Sequence, residues 1–238
     1  MMKNRTIRRK VAYALAPLTA ALASVTTATA VQDWNLTVSR IDGGTRIGNP
    51  EAPLKLTAFL SYTCPACGRF AAEADGALAL GYVGSGRVQV EQRAMVRDPV
   101  DLTATMLVNC VDPRRYGAAH TTFMERQSTW LARAQSIPQA QRVLWEDAYR
   151  SAERRRAVAG TLDFYAMVER FGLNRVKADQ CLSDQARADA LVAAADVNRS
   201  RYGVNGTPSF AIDGVLLTGT HDWAMLQPQL DVRLDTRR

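Results

Sequence analysis

The sequence predicts an α/β protein whose sheet-forming halves are separated by an all-helical insertion. Three observations carry that expectation. An apolar, strand-like run, Leu54 to Tyr62, ends at Cys64-Pro65-Ala66-Cys67 and gives way to helical spacing. From about Asp98 to Arg187 strand signals vanish, and Ala, Leu, Met, Arg and Gln recur at helical intervals. Beyond that block, Gly206-Thr207-Pro208 leads into two short strand-like runs joined by Asp213-Gly214, a strong hairpin signal.

The elements follow in order. Residues 31–50 are polar, with Gly43-Gly44 and Asn49-Pro50, and Leu36-Thr37-Val38 is expected as a short strand. Leu54 to Tyr62 is the first strong strand, bounded by Pro53 and the CxxC. A helix is expected over 65–80, opened by Pro65, which lacks an N–H and has φ pre-set for a first turn. Gly81, Gly84 and Gly86 end it, and Val88 and Val90, alternating with Gln89 and Glu91, form a second strand. Pro113, Pro138 and Gly172 divide the helical block into several helices. Ala190 to Tyr202 reads as another helix, stopped by Gly203. Ser209–Ile212 and Val215–Leu217 make the hairpin, and a short helix starting near His221 closes the chain. This order is that of a thioredoxin-like fold with an inserted all-helical subdomain. The expected divisions are 31–97 and 188–238 for the core and 98–187 for the insertion. No repeat, low-complexity segment or flexible linker interrupts it.

Charge excludes one large class of function. The net charge of +7 is misleading, because residues 1–30 supply five basic residues and no acid. The remainder holds 25 basic and 23 acidic residues, which leaves no global field for nucleic acid. Arg154-Arg155-Arg156 reads as a solvated helix face. The N-terminus reads as an export signal: Lys3, Arg5, Arg8, Arg9 and Lys10, an apolar run from Val11 to Val25, then Ala28-Thr29-Ala30 for cleavage after Ala30. Arg8-Arg9 raises a twin-arginine route, but Ile7 and Lys10-Val11-Ala12 match that pattern poorly. A periplasmic protein is expected.

A CxxC at a strand–helix junction has the geometry of dithiol redox chemistry. The helix N-terminus favours thiolate over thiol at Cys64. The same spacing is half of a zinc site, but Cys110 and Cys181 are single and widely separated, and neither His120 nor His221 sits at ligand spacing. No metal and no cofactor are expected.

Phe59-Leu60-Ser61-Tyr62-Thr63-Cys64-Pro65-Ala66-Cys67, with Gly203-Val204-Asn205-Gly206-Thr207-Pro208-Ser209-Phe210, resembles the DsbA family of exported thiol–disulfide oxidoreductases. The helical insertion is also a trait of that family. The resemblance implies that Cys64 is the exposed nucleophile and Cys67 the buried resolving thiol. It implies that Thr207-Pro208 is a cis-proline pair facing the disulfide, with the Thr207 backbone open to a substrate strand. Reduced or unfolded exported proteins would be the substrates, and a DsbB-like membrane quinone reductase the reoxidising partner. Two departures stand out. Ala66 replaces the His of strongly oxidising members, and Ala58 replaces the family's buried acid, so proton handling at Cys67 must rely on water or another group.

Cys110 and Cys181 are open to two readings, free buried thiols or a structural disulfide. Export and an even cysteine count point to the disulfide, worth about 4 kcal/mol by chain entropy. His120 and His221 read as structural, and Trp130, Trp145 and Trp223 as core. Tyr62 and Phe70 are either core or an apolar surface for unfolded chains. The functional expectation is a monomeric oxidase donating the Cys64–Cys67 disulfide. The alternatives are an isomerase or reductase, kept open by Thr207 but opposed by the brevity of 31–50, and a redox-inactive peptide-binding holdase.

Overall fold

Two hairpins and one parallel crossover build the sheet. The computed structural model describes residues 32–237. The export signal over 1–30 and its cleavage point lie outside them. Strands β1 (Val38–Ile41), β2 (Gly44–Ile47), β3 (Leu54–Leu60), β4 (Val88–Ala94), β5 (Ser209–Ile212) and β6 (Val215–Leu216) join in the order β1-β2-β4-β3-β5-β6. β3 runs parallel to β4, from Leu54 opposite Val88 to Leu60 opposite Ala94. It runs antiparallel to β5, with Phe59 opposite Ser209. All of β3 except Lys55 is buried, which explains its continuous apolar run: a central strand covered on both faces needs no polar alternation.

The β3–β4 crossover passes through α1 (Pro65–Ala77) and a π-helical stretch, Leu78–Val83, where the sequence predicts one uninterrupted helix. At the other end of the chain, Asp213 and Gly214 turn with φ of 50° and 83°, as a tight hairpin requires. The Asp213 carboxylate also accepts from the Lys55 N–H at 3.0 Å, tying the hairpin to the start of β3.

Residues 33–50 differ from expectation. Leu36 belongs to a 3-10 turn, Trp34–Leu36, and the segment forms a full hairpin, β1–β2, joined onto β4. Gly43 makes its turn at φ +71°, and a Cβ there would overlap Ala194. Thr45 and Ile47 suit a strand but Gly44 and Arg46 give the segment no apolar run, and pairing with β1 on one side and β4 on the other is what makes β2 a strand.

The helical stretch contains α2 (Pro99–Cys110), α3 (Tyr116–Glu125), α4 (Gln127–Ser136), α5 (Gln139–Val143), α6 (Ala152–Thr161), α7 (Phe164–Glu169) and α8 (Arg175–Ser183). Pro113, Pro138 and Gly172 all fall at breaks between helices. α9 (Gln185–Tyr202) starts before the expected Ala190, because the Asp184 side chain caps it by accepting from Arg187 N–H. It ends at Gly203, φ +67°. α10 (Trp223–Asp235) is longer than the short helix expected and accommodates Pro228 internally. α2 is the core of this part, buried without a break from Asp101 to Val108.

Arg155 is not on a solvated face. Its side chain is fully buried and donates to the carbonyls of Leu182 and Ala148, both at 2.7 Å, and to Gln185 Oε1 at 3.2 Å. Carbonyls at C-terminal helix ends carry partial negative charge, so this guanidinium joins the ends of the 3-10 turn Glu146–Tyr149 and of α8, with the Gln185 side chain as a third acceptor, where a solvated arginine was expected. Trp130, Trp145 and Trp223 are core, as expected, and so are Tyr62 and Phe70; the latter two therefore form no apolar docking surface.

Candidate active site

β3 ends at Leu60, and Ser61-Tyr62-Thr63 carries the chain to Cys64, the N-cap of α1, with Pro65 in the first turn. The Cys64 carbonyl accepts from the N–H groups of Cys67, 2.9 Å, and Gly68, 3.2 Å, so the helix closes directly on the CxxC. Both cysteines are free thiols. Across from them, the Thr207–Pro208 peptide bond is cis, and Cys64 Sγ lies 3.1 Å from the Thr207 carbonyl oxygen. Phe70 on α1 packs on Phe210 of β5 with ring centres 4.7 Å apart, fixing the helix against the proline strand. Cys64, Cys67, Pro65, Ala66, Thr207 and Pro208 thus come together from segments more than a hundred positions apart in sequence.

Cys64 is less open than the resemblance implies. It is 6% exposed, against 0% for Cys67, because Thr207 lies over its sulfur. It nevertheless borders a groove of about 740 Å³ that also takes in Pro65, Ala66 and Thr207. The two sulfurs differ sharply in proton affinity. The hydrogen bond from Cys67, helped by Thr207 and by the N–H groups of Cys67 and Ala66, outweighs burial and holds Cys64 at about 5, far below the ordinary thiol. Burial, and then the hydrogen bond to Cys64, push the Cys67 thiol well up. The arrangement makes Cys64 an anion at neutral pH and keeps Cys67 protonated.

Three supporting residues carry no obvious mark in the sequence. Asp101, fully buried in the first turn of α2, accepts from Ser61 Oγ at 2.6 Å, Tyr62 N–H at 2.8 Å and Arg97 N–H at 3.0 Å. Burial raises its carboxyl to about 6, against the pull of the Ser61 hydrogen bond. It anchors the strand end that presents Cys64. Gln127 of α4 donates its amide to the carbonyls of both Tyr62, 2.7 Å, and Cys64, 2.8 Å. Gly68 permits this approach, since a Cβ there would collide with the Gln127 amide. The one signal for Asp101 is that it is the single charged residue of α2, where a carboxylate needs partners.

His120 pairs through Nδ1 with Tyr62 Oη at 2.8 Å, and burial lowers its proton affinity. His221 Nδ1 donates to the Pro208 carbonyl at 2.9 Å. Cys110 and Cys181 are elsewhere, bonded to each other between α2 and α8. They are therefore not available as metal ligands to the CxxC.

A family profile described as Thioredoxin matches residues 41–232. The crystal structure of a protein-disulfide isomerase from Novosphingobium aromaticivorans is 44% identical, covers 82% of this chain and 98% of its own, and superposes with a TM-score of 0.76. Wolbachia pipientis alpha-DsbA1 shares the fold at 16% identity, with 86% and 97% of the two chains covered and a TM-score of 0.64. A Rickettsia bellii protein to which a protein-disulfide oxidoreductase role is ascribed is 23% identical over 170 residues, 71% of this chain and 56% of that one. The match thus spans little more than half of that curated relative. With the CxxC, the facing cis-proline and the helical insertion in place, and a profile that spans most of its length, the chain belongs to the thioredoxin family and shares its fold with alpha-DsbA1.

Proposed function

We propose that this protein oxidises pairs of cysteines in exported polypeptides, using the Cys64–Cys67 disulfide as the oxidant. The observation that carries the reading is the placement of Cys64 as N-cap of α1, bordering a groove, with Cys67 fully buried behind it, an arrangement that holds Cys64 at about 5 and pushes Cys67 well up. Stabilising the Cys64 thiolate stabilises the reduced enzyme, which makes the disulfide a stronger oxidant. In the reaction, a substrate thiolate attacks Cys64 Sγ. The Cys64–Cys67 bond breaks, and Cys67 leaves as thiolate and takes up a proton. A second substrate thiolate then attacks the substrate sulfur of the mixed disulfide and expels Cys64, whose low proton affinity makes it a good leaving group. The substrate loses two electrons, and the enzyme ends as Cys64 thiolate and Cys67 thiol. Asp101 and Gln127 keep the Ser61–Cys64 backbone in place while the sulfurs change partners.

The reading places the protein in the periplasm after export through residues 1–30, as a monomer reoxidised by a DsbB-like membrane quinone reductase. No helix among the described residues is long and apolar enough to cross a membrane. A second reading, disulfide isomerisation, is favoured by the name of the 44% identical Novosphingobium protein. Against it, residues 33–50 are taken up by the β1–β2 hairpin and not by a dimerisation module. Equilibration with glutathione, together with parallel assays on a reduced dithiol protein and a scrambled-disulfide protein, separates the two. An oxidase turns over the first faster and has a potential well above thioredoxin's, which is about −270 mV. A potential near thioredoxin's with faster turnover of the scrambled protein would replace oxidation by isomerisation.

A further inference from the structure

The groove at Cys64 carries charge that the sulfur chemistry does not use. Arg69 from α1, Arg97 from the segment between β4 and α2, and Arg199 from α9 all line it, and no Asp or Glu does. Three separate elements therefore converge on one sign of charge, in a chain whose residues beyond 30 are nearly balanced at 25 basic to 23 acidic. Arg199 is held by the carbonyls of Met95, 2.7 Å, and Val96, 3.1 Å, and is partly offset by Asp196 at 2.8 Å. Arg69 and Arg97 are exposed. Among the described residues their guanidinium groups make no ion pair and no hydrogen bond. Nor are they what lowers Cys64, whose anion is held first by Cys67. Two unpaired guanidinium groups beside a reacting sulfur are instead placed to meet carboxylates arriving with the substrate. Met95 and Val204, buried side chains of the same groove, give it an apolar floor suited to a polypeptide segment.

We infer that the groove selects polypeptide segments in which acidic side chains flank the reacting cysteine, with Arg69 and Arg97 as the specificity-determining residues. The inference rests on the oxidant reading above and adds the substrate class. Three reduced dithiol peptides of equal length test it, with the cysteines flanked by Glu, Gln or Lys, oxidised by the disulfide form of the protein. At low ionic strength the Glu peptide should react about three- to tenfold faster than the Gln peptide, as two exposed charge pairs allow, and the Lys peptide should be slowest. The spread should collapse when salt shortens the Debye length well below about 10 Å. In the Arg69→Gln/Arg97→Gln variant the Glu-to-Gln ratio should fall towards one. The salt series on the unaltered protein decides the matter if that variant does not fold. Equal rates for all three peptides at low salt, or a ratio unchanged in the variant, would overturn the inference and leave the oxidant reading intact. Oxidation of none of them would overturn both. Reduced glutathione, a small anionic thiol, serves as a fourth substrate. Arginine dependence for glutathione but not for the Glu peptide would overturn the polypeptide assignment.

Discussion

The two cysteine pairs sit at opposite ends of helices, and that difference separates a reagent from a staple. Cys64 is the N-cap residue of α1, where the backbone N–H groups of Ala66 and Cys67 favour its anion. Cys110 is the last residue of α2, and Cys181 Sγ lies 3.2 Å from the Met106 carbonyl of the same helix. The first site favours an anion and the second disfavours one. Burial does not separate the pairs, since Cys64 and Cys181 are 6% and 7% exposed; what differs is that Cys64 borders a groove. One pair is three positions apart and the other 71, so the close pair constrains little chain and the distant pair much. Reactivity and stabilisation are thus assigned to different pairs by the same few physical terms.

The sharpest way to break this comparison is to remove one sulfur of the reactive pair at a time. Cys64→Ser should reduce turnover to background and form no adduct with substrate. Cys67→Ser should also lose turnover but accumulate mixed disulfides at Cys64, visible by mass spectrometry of non-reduced samples. Adducts of equal yield from both variants would show that the sulfurs are equivalent, against the opposite shifts of their proton affinities.

The distant pair predicts the converse. Replacing Cys110 and Cys181 together by Ala should lower unfolding free energy by up to about 4 kcal/mol, the chain-entropy value for a loop of this length, and leave turnover with a dithiol peptide close to that of the parent. Denaturant unfolding and the turnover assay read the two effects separately. Loss of turnover in a variant that still folds would mean the two pairs are coupled.

The sequence made the reactive pair legible because its parts are local. Strand, Cys64, Pro65 and helix follow one another, and Asp213-Gly214 specifies its own turn. Thr207-Pro208 was found by resemblance and not by geometry. What escaped was held by long-range contact. Gln127 reaches the carbonyls of Tyr62 and Cys64 from a helix sixty residues on, and Gly68 earns its place only through that approach. Arg155 was misread because a run of three arginines looks polar on every face, whereas the acceptors that bury it come from Ala148, Leu182 and Gln185. β2 was missed because its partner β4 lies some forty positions away.

Asp101 links the comparison to pH. Its carboxyl is raised from 3.8 to about 6, so the folded state binds the proton more tightly than the unfolded chain. Stability contributed by that proton is present below about pH 4 and is lost as pH rises through about 6. Asp101→Asn cannot satisfy all three donors and should cost about 1–3 kcal/mol at neutral pH. The deficit should widen as pH falls from 7 towards 4, because only the parent gains there. Unfolding by denaturant across that range checks both. A deficit independent of pH would mean that Asp101 keeps an ordinary proton affinity.

The smallest effect concerns the dipeptide between the reactive sulfurs. Ala66 contributes a backbone N–H to the Cys64 anion and nothing from its side chain. A histidine there adds a donor and, when protonated, a positive charge beside the thiolate. Ala66→His should therefore lower Cys64 further below about 5 and raise the reduction potential by tens of millivolts, where 30 mV corresponds to about 1.4 kcal/mol. The sign follows from linkage. A depressed thiol stabilises the reduced protein at pH above the ordinary thiol value, and that stabilisation fades as pH falls through about 5. The rate of alkylation of Cys64 should accordingly drop by half near pH 5 in the parent and at lower pH in the variant. Glutathione equilibration at neutral pH gives the potential of each. The disulfide between Cys110 and Cys181 is the internal control, because neither measurement should register it in the folded protein. If alkylation profile and potential were the same in both proteins, the Cys64 anion would owe its stability to the helix N-terminus and Cys67 alone, and the dipeptide would have no electrostatic part in separating the two cysteine pairs.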